Sequence, residues 1–243
     1  MTKKIIYTCI TGYYDLPIEH QFVNPEYDYV CYTDNINKVE NSIWEFRRLE
    51  FSALDNVRNA RWHKLHAHEL FPEYNESLWI DGNINVLNKE FFSKMNVLEA
   101  DKFISSAKHE SRKNLFDELN ECIIQKKDFA KTMRIQKQKM KSVGFNGIYD
   151  NGKFFETNVL LRRHHDKRCI KLMQDWWYWI ENYSFRDQLS FTFALWKNNY
   201  SCDFLFEEFL RYVNFVEIEY HGKIPNFYQK KVIGIKRRIH LYF

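Results

Sequence analysis

Glycine and proline are scarce in this chain, seven and four among 243 residues, which excludes collagen-like, linker-rich and low-complexity architectures. No run of about 18 apolar residues is present to span a bilayer. The start, Met1-Thr2-Lys3-Lys4-Ile5-Ile6-Tyr7, has a basic end but too short an apolar stretch for a signal peptide, so a cytoplasmic protein is expected. The Gly-rich loops that cradle dinucleotides and phosphates are missing. Five cysteines, Cys9, Cys31, Cys122, Cys169 and Cys202, are odd in number and never spaced Cys-x-x-Cys, which argues against a disulfide framework or a zinc site. Charge is nearly balanced: the formal +4 and pI near 8.6 suit an anionic small molecule or a membrane surface and fall short of a nucleic-acid footprint.

What the chain does hold is apolar and aromatic. Some 45% of residues are apolar, with 21 Phe, 15 Tyr and 7 Trp, enough for one substantial core in a single domain. Strand-like segments at 4–11, 27–33, 44–49, 78–80, 102–107, 154–163 and 215–220 alternate with helical spacing at about 56–71, 114–141, 166–183 and from 186 onward. That alternation predicts an α/β fold.

The central stretch is Ser77-Leu78-Trp79-Ile80-Asp81-Gly82-Asn83-Ile84-Asn85-Val86, an apolar strand broken at its end by three polar residues and then resumed. At the carboxyl end of a strand, an Asp and an Asn flanking a Gly suit a hydrated cation or a sugar hydroxyl. The same triplet also makes an ordinary tight turn. Asp34 ends the second strand, either facing a base or ribose or forming a turn. On helix 56–71, with Asp55 as its N-cap, Arg58, Arg61, Lys64 and His68 share a face; this is either a diphosphate-binding set or a solvated basic face. The basic stretch 126–141 reads as a helix face in solvent, its charge suited to an acidic acceptor or lipid headgroups. Glu156-Thr157-Asn158 inserts polar groups into a strand fit for burial, and these need partners such as ligand hydroxyls. Helix 166–183 turns Ile170, Met173, Trp177 and Ile180 to one face. Asp187 falls in the first turn of the next helix, where the helix dipole alone accounts for it.

Seven blocks in order carry a resemblance: Ile6 to Asp15, Asp28 to Asn35, Arg58 to Lys64, Ser77 to Asn83, His109-x-x-Arg112 with Asp117-Glu118, Glu156-Thr157-Asn158, and Arg186 to Ser190. Together they resemble glycosyltransferases of the A-type fold, within them the family formerly labelled domain of unknown function 616. The resemblance implies a single domain over 1–225 with a mixed, mostly parallel sheet flanked by helices, and a basic, apolar tail at 226–243. It implies a nucleotide-sugar donor held by Thr8, Ile10, Thr11, Asp34, Arg61, Lys64, Asp81, Gly82 and Lys223. It implies a glycan or glycolipid acceptor, of the cell-surface polysaccharide type, met by His109, Arg112, Thr157, Asn158, Arg186 and Gln188. Asp81, Asn83 and His221 stand as ligands for Mn²⁺ or Mg²⁺, although Asn83 replaces a second Asp and supplies a weaker, neutral oxygen. Asp187 or Glu156 is the expected catalytic carboxylate, and Arg61, Lys64 and Lys223 are the cations that neutralise a leaving diphosphate. The alternative is a non-catalytic nucleotide- or glycan-binding protein on the same fold. The tail's charge suits peripheral contact with the inner membrane face.

Overall fold

The computed structural model describes residues 4–12, 16–36 and 41–219; the tail at 226–243, Lys223 and His221 lie outside them. A seven-stranded sheet runs in the order β3 (Glu45–Arg48), β2 (Tyr27–Thr33), β1 (Lys4–Ile10), β4 (Glu76–Ile80), β7 (Phe155–Arg162), β6 (Ile104–Lys108), β8 (Asp203–Phe204). Every strand is parallel except β7. This is the mixed, mostly parallel sheet that the resemblance implies.

Because the sheet is covered on both faces, its strands read as nearly unbroken apolar runs, and successive residues divide between two cores. Ile5, Tyr7, Val30, Trp79 and Leu160 point into one core. It is built with α1 (Asn56–Leu65), α2 (Ala67–Leu70), α6 (Lys167–Asn182) and α7 (Gln188–Asn198). Ile6, Cys31, Leu78, Ile80 and Leu161 point into the other. There they meet α3 (Glu90–Lys94) and a small antiparallel sheet of β5 (Ile84–Val86) and β9 (Val216–Ile218). A third layer, α4 (Leu115–Ile124) and α5 (Ala130–Ser142), packs beside α7. All five cysteines are buried and free. No helix among the described residues is long and apolar enough to cross a membrane.

Four expectations need correction. Ile84 to Val86 does not resume β4; it turns away into the small sheet with β9. The segment 56–71 is two helices, with a break where His66 leaves helical geometry (φ −102°, ψ 36°). The segment 114–141 is also two helices, parted by a loop in which Lys126 adopts φ 54°. On α6 the fully buried stripe is Cys169, Leu172, Met173, Trp176 and Ile180, so Ile170 and Trp177 sit on its flank.

Three buried histidines tie stability to pH. His63 donates from Nδ1 to Asn59 O and accepts at Nε2 from the Glu50 amide, a pair of bonds available only to the neutral ring. Burial pushes His20, His63 and His164 down from 6.5 to about 4. Below the ordinary histidine value the unfolded chain takes up protons that the fold refuses, so stability is lost as pH falls from 6.5 toward 4. We expect the melting temperature to fall steadily through that window, corresponding to several kcal/mol in all, and His63→Gln to flatten part of the slope. A melting temperature constant from pH 6.5 to 4 would contradict this.

Candidate functional site

The reversed strand explains why the site forms. Since β7 runs against its neighbours, its first residues lie at the carboxyl ends of β4 and β6, the end at which open α/β sheets bind ligands. There the Asp81 amide donates to Asn158 O (2.8 Å). Between Ser106 and Ala107 the β6–β7 register jumps, leaving residues 157–159 without partners on β6. Ser106 Oγ fills the broken ladder by donating to Glu156 O and Val159 O. Irregularities of this kind re-aim side chains beside functional sites. The turn after α6 and the start of α7 deliver Arg186, Asp187 and Gln188 to the same place.

At the centre is a buried ion cluster. Lys64, 1% exposed, donates from Nζ to Asp187 Oδ2 at 2.6 Å and lies 3.5 Å from Asp81 Oδ1. Arg61 Nε lies 3.4 Å from Asp187 Oδ1. Thr157 Oγ1 donates to Asp187 (3.0 Å) and Trp79 Nε1 to Asp81 (2.6 Å). Lys64 extends from near the far end of α1, and Arg162 anchors that end by donating to Lys64 O. Burial alone would raise the Asp187 carboxyl, but Arg61 and Lys64 overcome it and hold the group well below the usual carboxylate range. Burial lowers Lys64, with Asp187 and Asp81 opposing it. Asp187 is the N-cap residue of α7, yet its side chain makes no capping bond; its carboxylate is spent as the counter-ion of two cations, Arg61 and Lys64.

A cavity of about 490 Å³ opens over this cluster. Eleven expected site residues line it: Arg61, Asp81, Asn83, His109, Arg112, Glu156, Thr157, Asn158, Arg186, Asp187 and Gln188. Asn158 Oδ1, Arg186 Nε and Gln188 Nε2 are buried there without a hydrogen-bond partner. His109 is lowered by burial and its Nδ1 accepts from the amides of Ser111 and Arg112, while Arg112 is held by Glu118 (2.9 Å). Glu156 is paired with Arg211 (3.2 Å) and accepts from Asn158 Nδ2.

Other expected residues lie elsewhere. The basic-face reading of α1 fails: Lys64 is an internal counter-ion, closed off from a diphosphate. Arg58 ties α1 to Asp55, Ile180 O and Tyr183 O. His68 sits on α2 beside Glu69. Arg61 alone of the four faces the cavity. Ile10 lies so close to Gly82 that a Cβ there would meet its Cδ1 at 2.7 Å, with Thr8 Oγ1 at 3.6 Å; this is the close approach for which Gly82 is needed. Thr11 donates to Asn56 O. Asp34 accepts from the Gly12 amide (2.7 Å) and helps line a separate cavity of about 460 Å³ with Thr33, Asn35, Arg48 and Ser52, at the carboxyl ends of β2 and β3. Residues the sequence reading missed are Trp79 and Arg162, which set the ion cluster, and Arg211, which covers Glu156 from the loop before β9. Trp79 stood inside the central motif, read only as an apolar residue.

The divalent-metal expectation rests on three residues, of which His221 lies outside the described ones. Asp81 Oδ1 is already engaged by Trp79 and Lys64, and the Asn83 amide donates to Glu219 O. Among the described residues no group of three His, Cys, Asp or Glu side chains is arranged to hold a metal. With one carboxylate and one neutral amide oxygen among the described donors, holding Mn²⁺ or Mg²⁺ here calls on His221 or on the donor's phosphate oxygens.

A mixed sheet with one reversed strand, carrying a polar cavity at its carboxyl ends, is the α/β architecture that the resemblance to A-type glycosyltransferases implies. The chain belongs to the TOD1/MUCI70 glycosyltransferase-like domain family, whose model matches residues 33–221. No curated protein matches it. Among solved structures it is similar to the apo WbbM bifunctional glycosyltransferase, at 13% identity and TM-score 0.49, covering 84% of this chain and 38% of that one. It is similar to apo mouse xyloside xylosyltransferase 1, at 11% identity and TM-score 0.47, covering 84% of each. It is also similar to the galactosyltransferase LgtC in complex with donor and acceptor sugar analogues, at 14% identity and TM-score 0.45, covering 83% of this chain and 72% of that one. The chain thus spans well under half of the first of these.

Proposed function

We propose that the protein transfers a glycosyl group from a nucleotide-sugar donor to a glycan or glycolipid acceptor. The observation that carries this reading is the polar cavity over Asp81, Glu156 and Asp187, with buried polar atoms of Asn158, Arg186 and Gln188 left for a hydroxyl-rich ligand. The donor's nucleoside takes the cavity beside Asp34, and its diphosphate lies toward Arg61 and Arg186. Charge developing on the leaving diphosphate is neutralised by these guanidinium groups, of which Arg61 is fixed in advance by Asp187. Asp187 itself is held too acidic to take a proton efficiently near neutral pH. In an inverting reaction the acceptor proton goes to Glu156, which Arg211 orients.

A thermal-shift panel of nucleotides and nucleotide sugars, with and without Mn²⁺, tests the donor half of the proposal by mass action. We expect one nucleoside diphosphate to raise the melting temperature, and Arg61→Ala to weaken the shift. A shift that appears only with Mn²⁺ would favour the metal site of Asp81, Asn83 and His221. No shift with any nucleotide would contradict the donor assignment.

A further inference from the structure

Helix α5 carries Lys131, Arg134, Lys137, Lys139 and Lys141 and no acidic residue. Lys126 and Lys127 lead into it, so residues 126–141 hold seven cations against one acid, Asp128. That carboxylate is spent on Ser184 Oγ and the Phe185 amide. Among the described residues none of the seven cations forms a close ion pair with a carboxylate, although Lys137 donates to Asn120 Oδ1 with Asp117 nearby and Lys139 lies over the Tyr183 ring, whereas Lys94, Lys102, Lys153 and Lys171 each form one. Lys137 and Lys141 lean over the Phe116 ring. Met133, Gln136 and Met140 face inward, so helical spacing turns Lys131, Arg134, Ile135 and Lys139 outward. Ile135 is therefore exposed between cations, and Val143, one turn beyond Lys139, is 59% exposed.

A soluble polyanion would use only the charges. Apolar side chains set among unpaired cations fit a bilayer surface, where ammonium and guanidinium groups meet anionic headgroups while Ile and Val enter the acyl boundary. We propose that the outward face of α5 docks the protein on an anionic phospholipid bilayer. Gln136 bonds Leu189 O and the Ser184 amide, which fixes α5 beside the turn carrying Arg186 and Gln188. The inward face of α5 therefore packs beside the segment that carries the cavity, and Lys127, at the basic approach to the helix, lines that cavity; on the glycosyl-transfer reading a bilayer at the outward face suits a lipid-linked acceptor.

Sedimentation of the full chain with vesicles of phosphatidylcholine, alone or mixed with phosphatidylserine, tests this. We expect binding to the mixed vesicles alone, weakened by salt. Lys131→Gln with Arg134→Gln should lower partitioning roughly tenfold or more, and Ile135→Ser should lower it further, with melting temperatures unchanged. A double variant that binds mixed vesicles as the wild type does would overturn the assignment and move the contact elsewhere, residues 226–243 included. So would a wild type that ignores vesicles while binding heparin, which would make the face a polyanion site.

Discussion

Replacing Asp187 with Ala is expected to destabilise the protein by about 3–5 kcal/mol, the scale for leaving buried charge without its partner. Lys64 is 1% exposed and would keep only Asp81, at 3.5 Å, and Arg61 would lose its 3.4 Å neighbour. Asp187→Asn should cost nearly as much, since the amide keeps the shape and loses the charge. Lys64→Met combined with Asp187→Leu should recover much of the loss, because removing both charges also removes their desolvation cost. Asp187 is held below its unfolded value, so its contribution is present above the ordinary carboxylate range and lost as pH falls through the folded value. The penalty of Asp187→Ala should therefore shrink in acid. Urea unfolding of the three variants near neutral pH checks the cluster, and a loss under about 1 kcal/mol for Asp187→Ala would refute it.

Asp81→Ala is expected to act mainly on transfer, lowering it at least roughly 100-fold, because Asp81 is a cavity carboxylate placed to hold the donor's ribose or a cation on its diphosphate. Lys64 keeps its 2.6 Å bond to Asp187 in this variant. The loss in stability is confined mainly to the Trp79 indole, which loses its acceptor, about 1–3 kcal/mol. Initial rates and melting temperatures measured on one preparation separate the two effects. An Asp81→Ala enzyme with wild-type turnover would remove Asp81 from the reaction.

Much of the fold was legible because local signals agreed with it. The strands at 4–11, 27–33 and 154–163 have the composition of strands buried on both faces, and Asp55 caps α1 by accepting from the Arg58 amide. The candidate site was legible in its residues but not in their geometry. Asp81, Asn158 and Asp187 meet because β7 is reversed and its register with β6 jumps at Ser106, a property of strands about fifty positions apart that no local pattern encodes. Lys64 looked like one more cation on a basic helix. Its burial depends on Asp187, 123 residues later, so the favoured reading of a solvated face failed where a long-range ion pair overrode a local periodicity. Arg211 lies in the short 3-10 turn Leu210–Tyr212 that the resemblance did not cover, and its contacts with Glu156 and Glu110 reveal it.

The most direct test of glycosyl transfer is release of the nucleoside diphosphate from the nucleotide sugar that binds, measured with and without candidate glycan and glycolipid acceptors. We expect acceptor-dependent release together with a glycosylated product, both lost in Asp81→Ala. Tight binding with neither hydrolysis nor transfer, whether or not Mn²⁺ is added, would contradict the account and identify a non-catalytic binding protein on this fold.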